Sequence, residues 1–158
     1  MTTRSKLDKH FLKHYDEKQL LDMYRISCET MLFTFVLITI NGLIKMIYRP
    51  WAVASTEAAT LILIPLTYFA IRSVLSEAYF SRQTKSYKWT FVWTTSIGIL
   101  SLVDMIIGHL VFGHSIIEDG VLSGYFYNFF LSVFLLSVPI TYFIKKVIVK
   151  KVGEDEYN

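Results

Sequence analysis

Four long apolar runs, separated by short polar stretches, dominate the chain: about 30–47, 53–71, 89–112 and 121–144. A hydrocarbon core about 30 Å thick takes roughly 20 helical residues to cross, so each run is long enough to span. Buried helices of a soluble bundle keep a polar stripe. Residues 32–40 and 131–138 have none and are apolar on nearly every side. The pattern predicts an all-α polytopic membrane protein whose four transmembrane helices form an antiparallel bundle over residues 26–148, ahead of a polar tail at 149–158.

Residues 1–25 read as a polar segment on the membrane surface. Leu7, Phe11, Leu12 and Tyr15 share one helical face, with Lys6, Lys9 and Lys13 elsewhere, as in an amphipathic helix lying on anionic lipid; a solvated basic arm is the alternative. Asp16 followed three residues later by Gln19 resembles a capping box, so a helix should start at Glu17 and run unbroken into the first span. With so many polar residues ahead of the first apolar run, a cleavable signal peptide is not expected.

The loops carry their own signals. Arg49-Pro50-Trp51 should make a tight turn, and Ser55 or Thr56 is placed to cap the second span with Glu57 in its first turn. Pro65 and Pro139 fall inside spans two and four, where each frees a carbonyl that a neighbouring Thr67, Tyr68 or Thr141 hydroxyl is near enough in sequence to serve. Small residues four apart, Ala54 with Ala58, Ser55 with Ala59 and Gly120 with Gly124, permit close helix contact.

Charge sets an orientation. Six Lys or Arg precede the first span, two lie in the first loop, four in the second, none in the third and four in the tail. All but two thus fall on one side, which the positive-inside rule makes cytoplasmic. The expected localisation is the cell membrane, multi-pass, with both termini in the cytoplasm. Aromatic residues fit that frame: Tyr48, Trp51, Tyr125 and Tyr127 at the outer edge, Tyr87, Trp89 and Tyr142 at the inner. Composition agrees, with 53% hydrophobic and 18% charged among 158 residues, and the single Cys28 excludes an internal disulfide framework.

Polar side chains at membrane depth are the candidate site. An ionisable group at the bilayer centre costs about 2.5–3.5 kcal/mol on insertion scales, so such groups face the bundle and pair. Asp104 shares one face of the third span with Thr94, Ser101 and Gly108. Asn41, Glu57, His109 and Asn128 belong to the same outer half, and the five are expected to form one intramembrane cluster. Either Asp104 with Glu57 or His109 carries a proton or cation, or Asp104 is hydrogen-bonded and pins the helices together. No metal site is expected: steps of five from Asp104 to His109 and His114 turn a helix by about 140° each and spread the three over different faces.

No phosphate-binding loop, dinucleotide turn, paired metal motif or nucleophile elbow is present. The sequence therefore points to no enzyme, no cofactor and no nucleic acid, the basic residues being accounted for by topology and lipid headgroups.

Asp16-Glu17-Lys18-Gln19, then Arg49-Pro50, Glu57, Tyr68 and Arg72, resembles a family of small multi-span membrane proteins of Gram-positive bacteria, a domain of unknown function. Its members show an Asp-Glu-Arg-like start, a turn with proline, then Glu and Tyr-xxx-Arg in the next span; here Lys18 replaces the arginine. The resemblance covers residues 16–72 and implies membrane location and bundle form. It singles out Asp16, Glu17, Glu57, Tyr68 and Arg72. Glu57 and Arg72 stand about 22 Å apart along a helix, so each needs a partner outside its own span. The expected function is a non-enzymatic membrane protein acting on a protein partner or a second copy of itself, as an accessory, regulatory or immunity-type factor. The alternative is a small oligomeric proton- or ion-coupled transporter or channel using Asp104.

Overall fold

The computed structural model of the chain describes residues 17–47, 50–76 and 87–155. Asp16, the segment 6–15, Tyr48 and Arg49 lie outside the described residues. Four helices carry the fold: α1 (Glu17–Ile47), α2 (Ala54–Leu75), α3 (Tyr87–Val111) and α4 (Tyr127–Asp155). All four are long and apolar enough to cross a membrane, and the chain is an all-α four-helix membrane bundle.

Burial is inverted relative to a water-soluble protein. The buried side chains of the two central helices are mostly small or hydroxylated: Thr56, Ala59, Ala70, Ser73 and Val74 on α2, and Ser132, Ser137, Val138 and Thr141 on α4, with Ile26 buried on α1. Large apolar residues such as Leu32, Phe35, Leu100 and Phe143 face outward. Lipid tails solvate leucine as well as another helix does, so association depends on close backbone approach and polar contacts, which small residues allow.

Those small residues make α2 and α4 the centre. Helix α2 packs against α1 and α4, and α4 packs against α2 and α3, giving the lateral order α1, α2, α4, α3. Helices consecutive in sequence are antiparallel, as expected. The central pair is parallel, however: Thr56 near the start of α2 donates to Ser123 O, just before α4, at 2.6 Å. At the far end Lys145 Nζ of α4 donates to Leu75 O at 2.9 Å. That ammonium meets the last carbonyls of α2, which have no partner within their own helix, at the negative end of the helix dipole. The α2–α4 pair is the short diagonal of the bundle, and α1 and α3 occupy its outer corners.

Helix α1 starts at Glu17 and runs 31 residues without a break, matching the expected long first helix. At 1.5 Å per residue it is about 46 Å long, so it exceeds the hydrocarbon thickness and projects at its Glu17 end. The α2 start differs from expectation. Its cap is Val53, extended and without a side-chain hydrogen bond, because Thr56 is committed to Ser123 O.

The greater departure lies ahead of α4. The fourth run, 121–144, was expected to be helical from its first residue, but Val121–Leu122 is a strand paired antiparallel with Ile117–Glu118. Asp119 (φ 51°) and Gly120 (φ 79°) both hold positive φ between the strands, the geometry of a two-residue primed hairpin turn. A third segment joins the pair: Leu122 N–H donates to Trp51 O and Val53 N–H to Leu122 O, both at 2.9 Å. After the 3₁₀ turn Gly124–Phe126, α4 begins only at Tyr127. The Gly120/Gly124 spacing therefore belongs to this cap and not to a helix interface. At the other end α4 continues to Asp155, so residues 149–155 extend the helix instead of forming a tail.

Two helical glycines test the packing in opposite directions. A Cβ on Gly108 would run into the Tyr125 side chain, whereas one on Gly42 would meet nothing within 4 Å. Thermal unfolding in detergent should show Gly108→Ala destabilised by about 1–3 kcal/mol through overpacking. Gly42→Ala should gain about 0.5–1 kcal/mol by restricting the backbone. Equal shifts would show that α3 does not sit on Tyr125 as described.

Candidate functional site

The polar side chains at membrane depth group into two clamps between α1 and α2 and one contact between α3 and α4. The α2-facing stripe of α1 runs through Ile26, Glu29, Phe33, Leu37 and Asn41 at three- and four-residue steps. Two polar residues on that stripe, about 18 Å apart along the axis, anchor the helix.

The first clamp centres on Glu29. Its Oε2 accepts from Arg72 Nη2 and from the Tyr68 hydroxyl, each at 3.2 Å, and its Oε1 accepts from Arg25 Nε at 3.1 Å. Tyr68 and Arg72 are one turn apart on α2, so both reach the same carboxylate. Phe33, one turn along α1 from Glu29, packs its ring against Tyr68 with centroids 5.4 Å apart. Arg72 Nε is buried and has no hydrogen-bond partner.

The second clamp centres on Glu57, whose side chain is only 12% exposed. Its Oε1 accepts from Lys45 Nζ at 2.7 Å and from Asn41 Nδ2 at 2.7 Å. Asn41 Oδ1 in turn accepts from Trp51 Nε1 at 2.7 Å, which ties the α1–α2 connection to both helices. Glu57 and Arg72, too far apart to meet within α2, thus both find counter-charges on α1.

Between α3 and α4, Asn128 Nδ2 donates to Asp104 Oδ2 at 2.8 Å. The Tyr125 hydroxyl donates to the carbonyls of Asp104 and Met105 beside Gly108. His109 Nδ1 lies 2.9 Å from His114 O, a bond in which the ring nitrogen donates.

The five expected cluster residues therefore do not come together as one site. Asn41 joins Glu57, and Asn128 joins Asp104. His109 turns to its own loop, and no hydrogen bond among the described residues joins the two pairs. The separation follows from the helix order: α1 and α3 sit at opposite corners, so α1–α2 and α3–α4 contacts cannot share a centre. Of the family-like positions, Tyr68 and Arg72 meet at Glu29, Glu57 heads the other clamp, and Glu17 lies in the first turn of α1. Sequence reasoning missed Glu29 and Lys45. The i,i+4 pair Arg25/Glu29, at the start of an apolar run, was the available signal.

Each clamp carboxylate is paired with a cation on the facing helix, and no group of three His, Cys, Asp or Glu among the described residues is arranged to hold a metal ion. Many span hydroxyls, including Thr30, Thr34, Thr60, Thr67, Thr95, Ser132 and Ser137, donate to carbonyls of their own helix three or four residues back. The polar groups act as fasteners. Comparison of the chain with protein-family models, curated proteins and solved structures finds no match.

A double-mutant cycle on Glu29→Ala and Arg72→Ala, read by unfolding in detergent, should give a coupling of about 0.6–1.7 kcal/mol, the range for interhelical polar pairs in lipid. The exchanged pair Glu29→Arg with Arg72→Glu should recover part of the loss. Strict additivity would remove the first clamp.

Proposed function

We propose that this protein is a non-enzymatic integral membrane protein that binds another membrane protein through the outward face of α1. The observation that carries this reading is the one-sided attachment of α1. Two clamps hold it to α2, while Leu32, Phe35, Thr39, Gly42 and Met46 line the opposite face, with Met46 86% exposed. Their steps of three and four residues form a seam of the kind helices pack along, and the open space at Gly42 lets a second helix approach closely. The occupant that fits is a transmembrane helix of another protein, in keeping with an accessory, regulatory or immunity-type role.

The distribution of Lys and Arg favours the clamp end bearing Arg25 and Arg72 as cytoplasmic, with both termini on that side of the cell membrane. The resemblance over residues 16–72 fits the membrane location. The transport alternative finds less support: Asp104 is held by Asn128, and the hydroxyls that could extend a proton path are turned onto their own helices.

Thiol cross-linking in native membranes tests the seam. In a Cys28→Ser background, Phe35→Cys and Met46→Cys should form adducts with one distinct membrane protein, whereas Leu37→Cys, on the α2 face, should not. Gly42→Leu should cut the adduct yield about tenfold, equivalent to about 1.4 kcal/mol of association energy. Adducts of equal yield from all three cysteines, or none from any, would reject this interface.

A further inference from the structure

The open angle between α1 and α4 leaves an apolar groove of about 390 Å³ with α2 as its floor. Leu63 and Ile64 form that floor, Phe33 and Tyr68 one wall, and Phe130 and Val133 the other. The single hydroxyl on the floor, Thr67, donates to Leu63 O and leaves the surface without a free donor. The groove runs over the nine residues from Leu63 to Ile71, about 12 Å along the helix axis. Its apolar lining suits a hydrocarbon chain lying along α2.

One end of the groove is charged. Tyr68 is both a wall of the groove and a ligand of Glu29, and Arg72 lies one turn beyond it. At Glu29 two guanidinium groups share one carboxylate, which leaves a surplus positive charge. Arg25 directs its Nε–H and Arg72 its Nη2–H at Glu29, Arg72 Nε is buried without a partner, and Arg25 is 76% exposed. A guanidinium has five donors in a planar fork that matches phosphate oxygens. This surplus stands at the end of the spans where Lys and Arg concentrate, at the level of lipid headgroups.

We infer that the groove and the Arg25–Arg72 pair form a binding site for one anionic phospholipid of the adjoining leaflet, its phosphate on the guanidinium groups and one acyl chain between α1 and α4. The site is separate from the α1 seam on the opposite face, so it stands or falls independently of the proposed partner.

Native mass spectrometry of the full chain in detergent tests this, with phosphatidylglycerol and phosphatidylcholine of identical chains added in turn, and with inorganic phosphate as the headgroup-only probe. Wild type should retain one phosphatidylglycerol about tenfold more readily than phosphatidylcholine, and phosphate should not compete. Arg25→Gln leaves the Glu29–Arg72 bond in place and should abolish the preference. Val133→Trp fills the groove from its outward wall and should reduce retention of both lipids. Equal retention of the two lipids by wild type, unchanged retention in both variants, or displacement by phosphate alone would overturn the proposal. So would a protein adduct from Val133→Cys in native membranes. Unfolding curves of both variants matching wild type would establish that the loss is one of binding.

Discussion

In hydrocarbon a helix gains nothing by hiding leucine from its surroundings, and that constraint shapes every contact in this protein. What holds the helices is close approach at small residues and hydrogen bonds that have no solvent competitor. The α2–α4 core of Ala70, Val74 and Val138, edged by Phe134 and Tyr142, is the first kind. The Glu29 and Glu57 clamps are the second. Their division between helices is uneven: α4 is packed, whereas α1 is fastened.

The parallel course of α2 and α4 follows from both ends. Thr56 and the three-segment cap around Leu122 bring the starts of the two helices together, and Lys145 covers the exposed carbonyls where α2 ends. With its ends fixed to α4, α2 becomes the helix that α1 leans on. Helix α3 leans on α4 through the Gly98 contact with Leu135 and Leu136, and on the 3₁₀ turn before α4 through the Gly108 contact with Tyr125. Each corner helix thus packs mainly on one neighbour, α1 on α2 and α3 on α4, and the gap beside α1 is a geometric result of that order.

The spans were legible because 18 or more apolar residues in a row leave few soluble alternatives. The long first helix was legible from its unbroken apolar run, and the need of Glu57 and Arg72 for partners on another helix from their spacing alone. The hairpin was not. Val121 and Leu122 open an apolar run that continues into α4, and hydropathy cannot separate two strand residues from a helix start. Only Asp119-Gly120, a dipeptide suited to positive φ at both positions, carried that information. The single polar cluster failed for a different reason: depth along each span was readable, but which helices are neighbours was not. Asn41 and Asp104 lie on helices at opposite corners, and Glu57 and Asn128 on the central pair each turn to their own corner helix.

The same lateral order explains why charge is concentrated on α1. A helix packed on two neighbours can be held by shape, as α2 is by Ala59, Ala70 and Val74. Helix α1 touches its one neighbour more sparsely than α3 touches α4, and in lipid it has no hydrophobic term to make up the difference. It needs directional bonds near both ends of the membrane crossing, which is where Glu29 and Glu57 meet Arg72 and Lys45. Those bonds fix the rotation of α1 about its axis, because turning it by one residue, about 100°, would carry Glu29 and Asn41 away from α2 together. Fixed rotation is what gives α1 a defined outward face. Without the clamps its uniformly apolar surface would present no preferred side, and a partner helix or lipid chain would find no constant shape to bind.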